Sequence, residues 1–256
     1  MNRRDMTAAA RLLRYAVTVS LRPTTGSEYR ALLDRYRTDV EFAEGVVAIA
    51  DGFGLDVRAA TPLGLIVTGD GDSPFRITLD NSGLPLRASP AAAKLQDRLL
   101  FGLVLVAVAA YAYPAGESLT ETTTPTVRPA ELNRFITRKA DALRELAGAE
   151  RVDEMDAQLG QAARMWLELP EILPVERGSG LRKECQRRYV NDVLNWLVEV
   201  GRARREAAMS DERGQAYTLN DRFRIGLAET ADTIAFGILA NDADRDADRV
   251  SDREGA

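Results

Sequence analysis

The stretch from Tyr189 to Leu227, YVNDVLNWLVEVGRARREAAMSDERGQAYTLNDRFRIGL, decides how this chain folds. Tyr189, Val193, Leu194, Trp196, Leu197 and Val200 recur at three- and four-residue steps, the spacing of one buried helix face. The spacing predicts a helix from Leu181 to Arg204, with Gly201 ending its regular part. A strand then follows near Ala203 to Met209, a turn at Ser210 to Gly214 and a second strand at Ala216 to Leu219. A further helix is expected from Glu229 to Leu239.

Upstream, Pro170 to Gly180 holds two prolines and two glycines and breaks an earlier helix between Val152 and Leu169. Arg128 and Pro129 open another helix, with Leu132, Phe135 and Ile136 on one side, running to about Ala147. Glu117 to Val127 is Thr-rich and extended. Ser89 and Pro90 open a long apolar helix to about Tyr113. Its uncharged run from Leu99 reaches the lower edge of a membrane span, but Lys94, Asp97 and Arg98 beside it favour a helix covered on all sides by protein.

The N-terminal part repeats the order. A helix is expected over Thr7 to Ser20, a second after Thr25 and Ser27, rival caps with Glu28 nearby, and a third through Val40, Phe42, Val46, Val47 and Ala50. Phe75, Ile77 and Leu79 alternate with Arg76, Thr78 and Asp80, the pattern of a half-buried strand, paired with Leu63 to Thr68 across the Gly69 to Pro74 link. Helices followed by a ribbon occur twice, which is winged-helix order. The expected fold is mainly α with small β-hairpins (α+β), built as tandem winged-helix domains. Residues 1–88 form the first domain. Residues 89–240 form the second, with an added helix around 141–173, and residues 241–256 form an acidic, disordered tail.

Composition narrows the chemistry. Among 256 residues there is no His, so Ser-His-Asp and Cys-His catalysis and His-ligated metals are excluded. The single Cys185 excludes an intramolecular disulfide and a thiolate zinc cluster. No cofactor and no metal is expected. Gly52-Phe53-Gly54 and Gly69-Asp70-Gly71 complete neither a dinucleotide fingerprint nor a P-loop. Asp242, Asp244, Asp246 and Asp248 imitate an EF-hand opening, but Ala247 replaces the required Gly and Arg253 the terminal Glu. Acid pairs such as Asp153 with Asp156 or Glu168 with Glu171 nominate no catalytic centre. No signal-peptide pattern follows Met1, and a cytoplasmic protein is expected.

The net charge is −5, yet Pro174 to Arg205 holds eight basic residues against four acids. Arg182, Lys183, Arg187 and Arg188 lead the penultimate helix, and Arg202, Arg204, Arg205 and Arg213 lie at its end and in the ribbon. These eight are the candidate DNA-binding residues. In a winged helix such arginines meet phosphates. The competing reading is a solvated face neutralised by pairs such as Glu184 with Arg188.

The Tyr189 to Leu227 string resembles the recognition helix, wing and exit of the kite proteins. These are the tandem winged-helix subunits of bacterial condensin-like SMC complexes, including MukE, MksE and the Wadjet plasmid-defence equivalent. The likeness lies in Leu194 to Gly201, Arg204-Arg205, and Tyr217-Thr218-Leu219 leading to Arg222-Phe223-Arg224, with Pro129-Ala130-Glu131 opening the upstream helix. It implies a non-catalytic subunit that homodimerises through its N-terminal domain, binds a kleisin and an SMC-like ATPase, helps clamp DNA and has no membrane partner. Two other classes remain: a free-standing winged-helix transcriptional regulator, and a carboxylate-dependent enzyme.

Overall fold

A computed structural model describes residues 2–18, 21–69, 73–76, 81–114, 124–146, 154–174, 181, 184–211 and 214–228. The chain is mainly helical with small antiparallel hairpins, and its buried apolar residues fall into two clusters.

The first cluster is built by α1 (Arg3–Val17), α2 (Glu28–Thr38), α3 (Val40–Gly52) and the hairpin β1 (Leu55–Thr61) and β2 (Gly64–Gly69). Ala9, Leu12, Leu13 and Ala16 form the inward stripe of α1 and meet Tyr29, Leu33, Phe42, Val46 and Leu65. Each helix start is capped by a side-chain oxygen: Asn2 accepts from Arg4 N, Ser27 from Arg30 N and Asp39 from Phe42 N. Ser27, not Thr25, is therefore the cap of α2. Asp39 also ends α2, so α2 and α3 join with a single residue between them.

The hairpin brings in a partner that the sequence pattern did not suggest: β2 pairs with Leu55–Thr61, across a two-residue turn at Pro62-Leu63. Gly64, at φ +120°, packs so tightly that a Cβ there would stand 2.1 Å from the Tyr29 hydroxyl. That hydroxyl accepts from Leu65 N at 3.0 Å. Phe75 lies in a turn that crosses Gly69, and residues 77–80 of the expected strand lie outside the described residues.

The second cluster is built by α4 (Ala91–Ala112), β3 (Thr126–Val127), α5 (Pro129–Leu146), α6 (Glu154–Glu168), α7 (Gln186–Glu199), β4 (Ala203–Asp211) and β5 (Gly214–Leu219). Residues 221–228 are helical again. The sheet is antiparallel in the order β3-β5-β4, so the returning strand of the ribbon sits in the middle. Leu84 belongs to this second cluster. α4 is long and apolar enough to cross a membrane by length and composition. Seven of its residues are nonetheless buried, among them Leu100, Phe101, Val104 and Val108, while Leu95 and Val106 are exposed.

Two polar knots tie this module together. Asp97 of α4, 3% exposed, accepts from Arg87 N at 2.6 Å, Arg87 Nη2 at 2.7 Å and the Tyr189 hydroxyl at 2.7 Å. Burial works against its charge, but these donors overrule it and hold the carboxyl below its ordinary pKa. Burial and the same carboxylate push the Tyr189 phenol up. In the second knot, buried Gln186 donates to Trp166 O and Leu169 O and accepts from Asn133 Nδ2. Trp166 Nε1 donates to Thr137 Oγ1. Helix α6 thus packs on α4 and α5, and the Trp166 and Gln186 hydrogen bonds tie it to α5 and to the start of α7. The closing helix expected at 229–239 and the acidic tail at 241–256 lie outside the described residues.

Candidate nucleic-acid interface

α7 is shorter than expected at both ends. It begins at Gln186, where Gln186 N bonds Pro170 O and Arg187 N bonds Glu171 O, and it ends at Glu199 ahead of Gly201 at φ +67°. Arg202 and Arg204 therefore leave the helix, and Arg182, Lys183 and Arg213 lie outside the described residues. The five described candidates stand in three different settings.

Arg187 and Arg188 occupy the first turn of α7. The Arg187 side chain is 19% exposed, and its Nη2 meets Glu171 Oε1 at 2.9 Å. It braces the helix start against the loop before it. Arg188 pairs with Asp192 at 2.9 Å, one turn on, so its partner is not the expected Glu184. From Gln186 to Val198 no side chain of α7 is fully exposed; only Glu199 is. The helix presents little free surface for a groove.

The ribbon differs. Side chains alternate along a strand, so Arg204 and Arg205 point to opposite faces of β4. Arg205 Nη2 donates to Asn195 Oδ1 of α7 at 2.9 Å, and the Tyr217 hydroxyl donates to the same oxygen at 2.9 Å. Arg204 is 72% exposed and pairs with Glu206 on its own strand. A surface pair of that kind contributes about 0–1 kcal/mol and yields readily to a phosphate. Arg202 is half-buried and turns away from the ribbon, toward Gly226 and Arg222.

The eight basic residues consequently do not form one surface among those described. Arg204 and Arg205 bear exposed charge on the ribbon, Arg187 and Arg188 carry carboxylate partners, and Arg202 belongs to a cleft between the modules. Sequence reasoning missed that cleft and the Asp97 knot. The only sequence signal for the knot is a lone carboxylate in an apolar helix. Among the described residues no group of three or more metal-ligating side chains occurs. Searches against family models, curated proteins and solved structures find no match.

Proposed function

We propose that the chain is a tandem winged-helix, kite-type subunit of a bacterial SMC or condensin-like complex. In this reading it has no catalytic role, binds a kleisin beside an SMC-like ATPase, and helps clamp DNA for chromosome organisation or plasmid defence. The observation that carries the reading is the repeated order. α1, α2 and α3 lead into the β1–β2 ribbon; α4, β3, α5 and α7 lead into the β4–β5 ribbon, with β5 between β3 and β4. That is the strand order of a winged helix, with α6 as an insertion. Homodimerisation is supported by an apolar stripe on α3, where Val40 is 73% and Val47 46% exposed beside a groove shared with Tyr36 of α2.

Within this reading Arg204 and Arg205 supply the phosphate contacts, and the helix arginines hold α7 in place. A free-standing operator reader needs an accessible recognition helix, and α7 offers only half-buried side chains over most of its length. The test is Arg204→Glu with Arg205→Glu in the assembled complex. DNA retention at fixed salt should weaken and its dependence on log salt should flatten by about two phosphate contacts. Unchanged retention and an unchanged slope would remove the ribbon from the account.

A further inference from the structure

The outward face of α1 concentrates positive charge. Arg3, Arg4, Arg11 and Arg14 are all exposed. At 3.6 residues per turn they fall within about 100° of one another around Thr7, opposite the buried stripe of Ala9, Leu12, Leu13 and Ala16. Arg3, Arg4 and Arg11 surround an open depression, with Thr7 and Ala8 between them. Its acid, Glu28, accepts from Arg11 at 2.8 Å and from the Tyr15 hydroxyl at 2.7 Å, and it lies in the field of Arg14. Among the described residues no carboxylate pairs with Arg3 or Arg4.

This placement runs against helix electrostatics. A helix N-terminus carries partial positive charge and favours acids, so Arg3 and Arg4 in the first turn are repelled by it. Asp5, the acid of that turn, does not offset them, because its carboxylate meets Arg35 Nη1 of α2 at 2.7 Å. A polyanion would relieve this repulsion, and the spacing suits a duplex. The midpoints of Arg3–Arg4 and Arg11–Arg14 lie nine residues apart. That is about 13 Å along the axis, close to the roughly 12 Å width of the major groove. Single strands and membranes fit less well. Tyr15, the aromatic residue of α1, stacks on Tyr29 at 5.1 Å and lies under Arg14, so it offers no free platform for a base. Met6 and Val17, the large exposed apolar residues of α1, lie outside the arginine arc, which leaves that arc nothing to insert into a bilayer.

We propose that the outward face of α1 is a second contact for duplex DNA, laid across a groove with Arg3 and Arg4 on one phosphate ridge and Arg11 and Arg14 on the other. Guanidinium groups match the geometry of phosphate oxygens, and contacts confined to phosphates carry no sequence preference. The choice of DNA rests on the reading of the chain as a DNA-clamping subunit, but the surface lies on the N-terminal module and works without the β4–β5 ribbon.

The test is fluorescence anisotropy of the purified full chain with a labelled random-sequence duplex over a range of salt, beside thermal unfolding. Arg3→Gln with Arg4→Gln and Arg14→Gln should weaken binding at least about tenfold at roughly 0.1 M salt and flatten the dependence on log salt by about three phosphate contacts. Its Tm should stay level or rise, because charge leaves the helix N-terminus. Arg134→Gln with Arg138→Gln and Lys139→Gln removes the same charge from exposed positions of α5. It should weaken binding far less, since charges beyond about 10 Å are screened at this salt. Equal weakening by both triple variants would mean attraction to total charge and would overturn the proposal. Unchanged binding by the α1 variant would overturn it too; if Arg204→Glu with Arg205→Glu still weakens retention, the ribbon reading stands. A full chain that binds no duplex at low salt overturns this inference and leaves the complex reading to partner recovery. Loss of binding to vesicles of phosphatidylserine and phosphatidylcholine, with duplex binding intact, would assign the face to a membrane surface instead.

Discussion

Removing the Asp97 carboxylate should be among the most damaging single changes in the C-terminal module. The group is 3% exposed and accepts from Arg87 N, Nε and Nη2 and from the Tyr189 hydroxyl, at 2.6 to 3.0 Å. Asp97→Ala strands a guanidinium whose side chain is only 22% exposed and leaves the phenol without its acceptor. Breaking a buried pair from one side costs about 3–5 kcal/mol, or roughly 6–20 °C in Tm for a chain of this size. Urea unfolding followed by tryptophan fluorescence reports on this module directly, because Trp166 and Trp196 both lie in it. Replacing both partners, as Asp97→Leu with Arg87→Met, should cost less than Asp97→Ala alone, since no buried charge remains. The carboxyl pKa is lowered on folding from its ordinary 3.8. Its contribution is therefore fully present above pH 3.8 and is lost as pH falls through the lower folded value, and Asp97→Asn should abolish that part of the acid slope. A loss below about 1 kcal/mol on Asp97→Ala, or an acid slope unchanged by Asp97→Asn, would refute the reasoning.

Three further outcomes follow from the packing. Gly64→Ala forces a Cβ against the Tyr29 hydroxyl at φ +120° and should cost about 3 kcal/mol in chemical denaturation. Trp166→Ala empties the packing of α6 against α4 and α5 and should cost about 3–5 kcal/mol, with α6 becoming the first segment to lose hydrogen-exchange protection. Val40→Glu with Val47→Glu should turn a dimer into a monomer by light scattering without lowering monomer stability, because both side chains are exposed; a surviving dimer would move the interface elsewhere.

Helical spacing made most of the architecture readable. The stripes of α1, α3 and α7 follow directly from Leu12, Val46 and Val193 and their neighbours, and the Pro90 and Pro129 starts lie within one residue of α4 and α5. The first hairpin was harder. Leu55–Thr61 carries a bulge between Val57 and Ala59, which breaks its two-residue period, while Phe75 to Asp80 alternates cleanly. What holds the β1–β2 pairing is tertiary: Gly64 fits beneath Tyr29. The site was legible only as a count of arginines. Whether each is offered or spent depends on Glu171, Asp192 and Asn195, which reach them through the loop, the helix turn and the ribbon.

The most direct measurement is purification of the tagged full-length chain at low salt from the cells that encode it, followed by identification and stoichiometry of what remains bound. The account predicts a dimer of this chain with a kleisin and an SMC-type ATPase, and DNA retention by that assembly. A chain recovered alone, with neither partner at low salt, would contradict it.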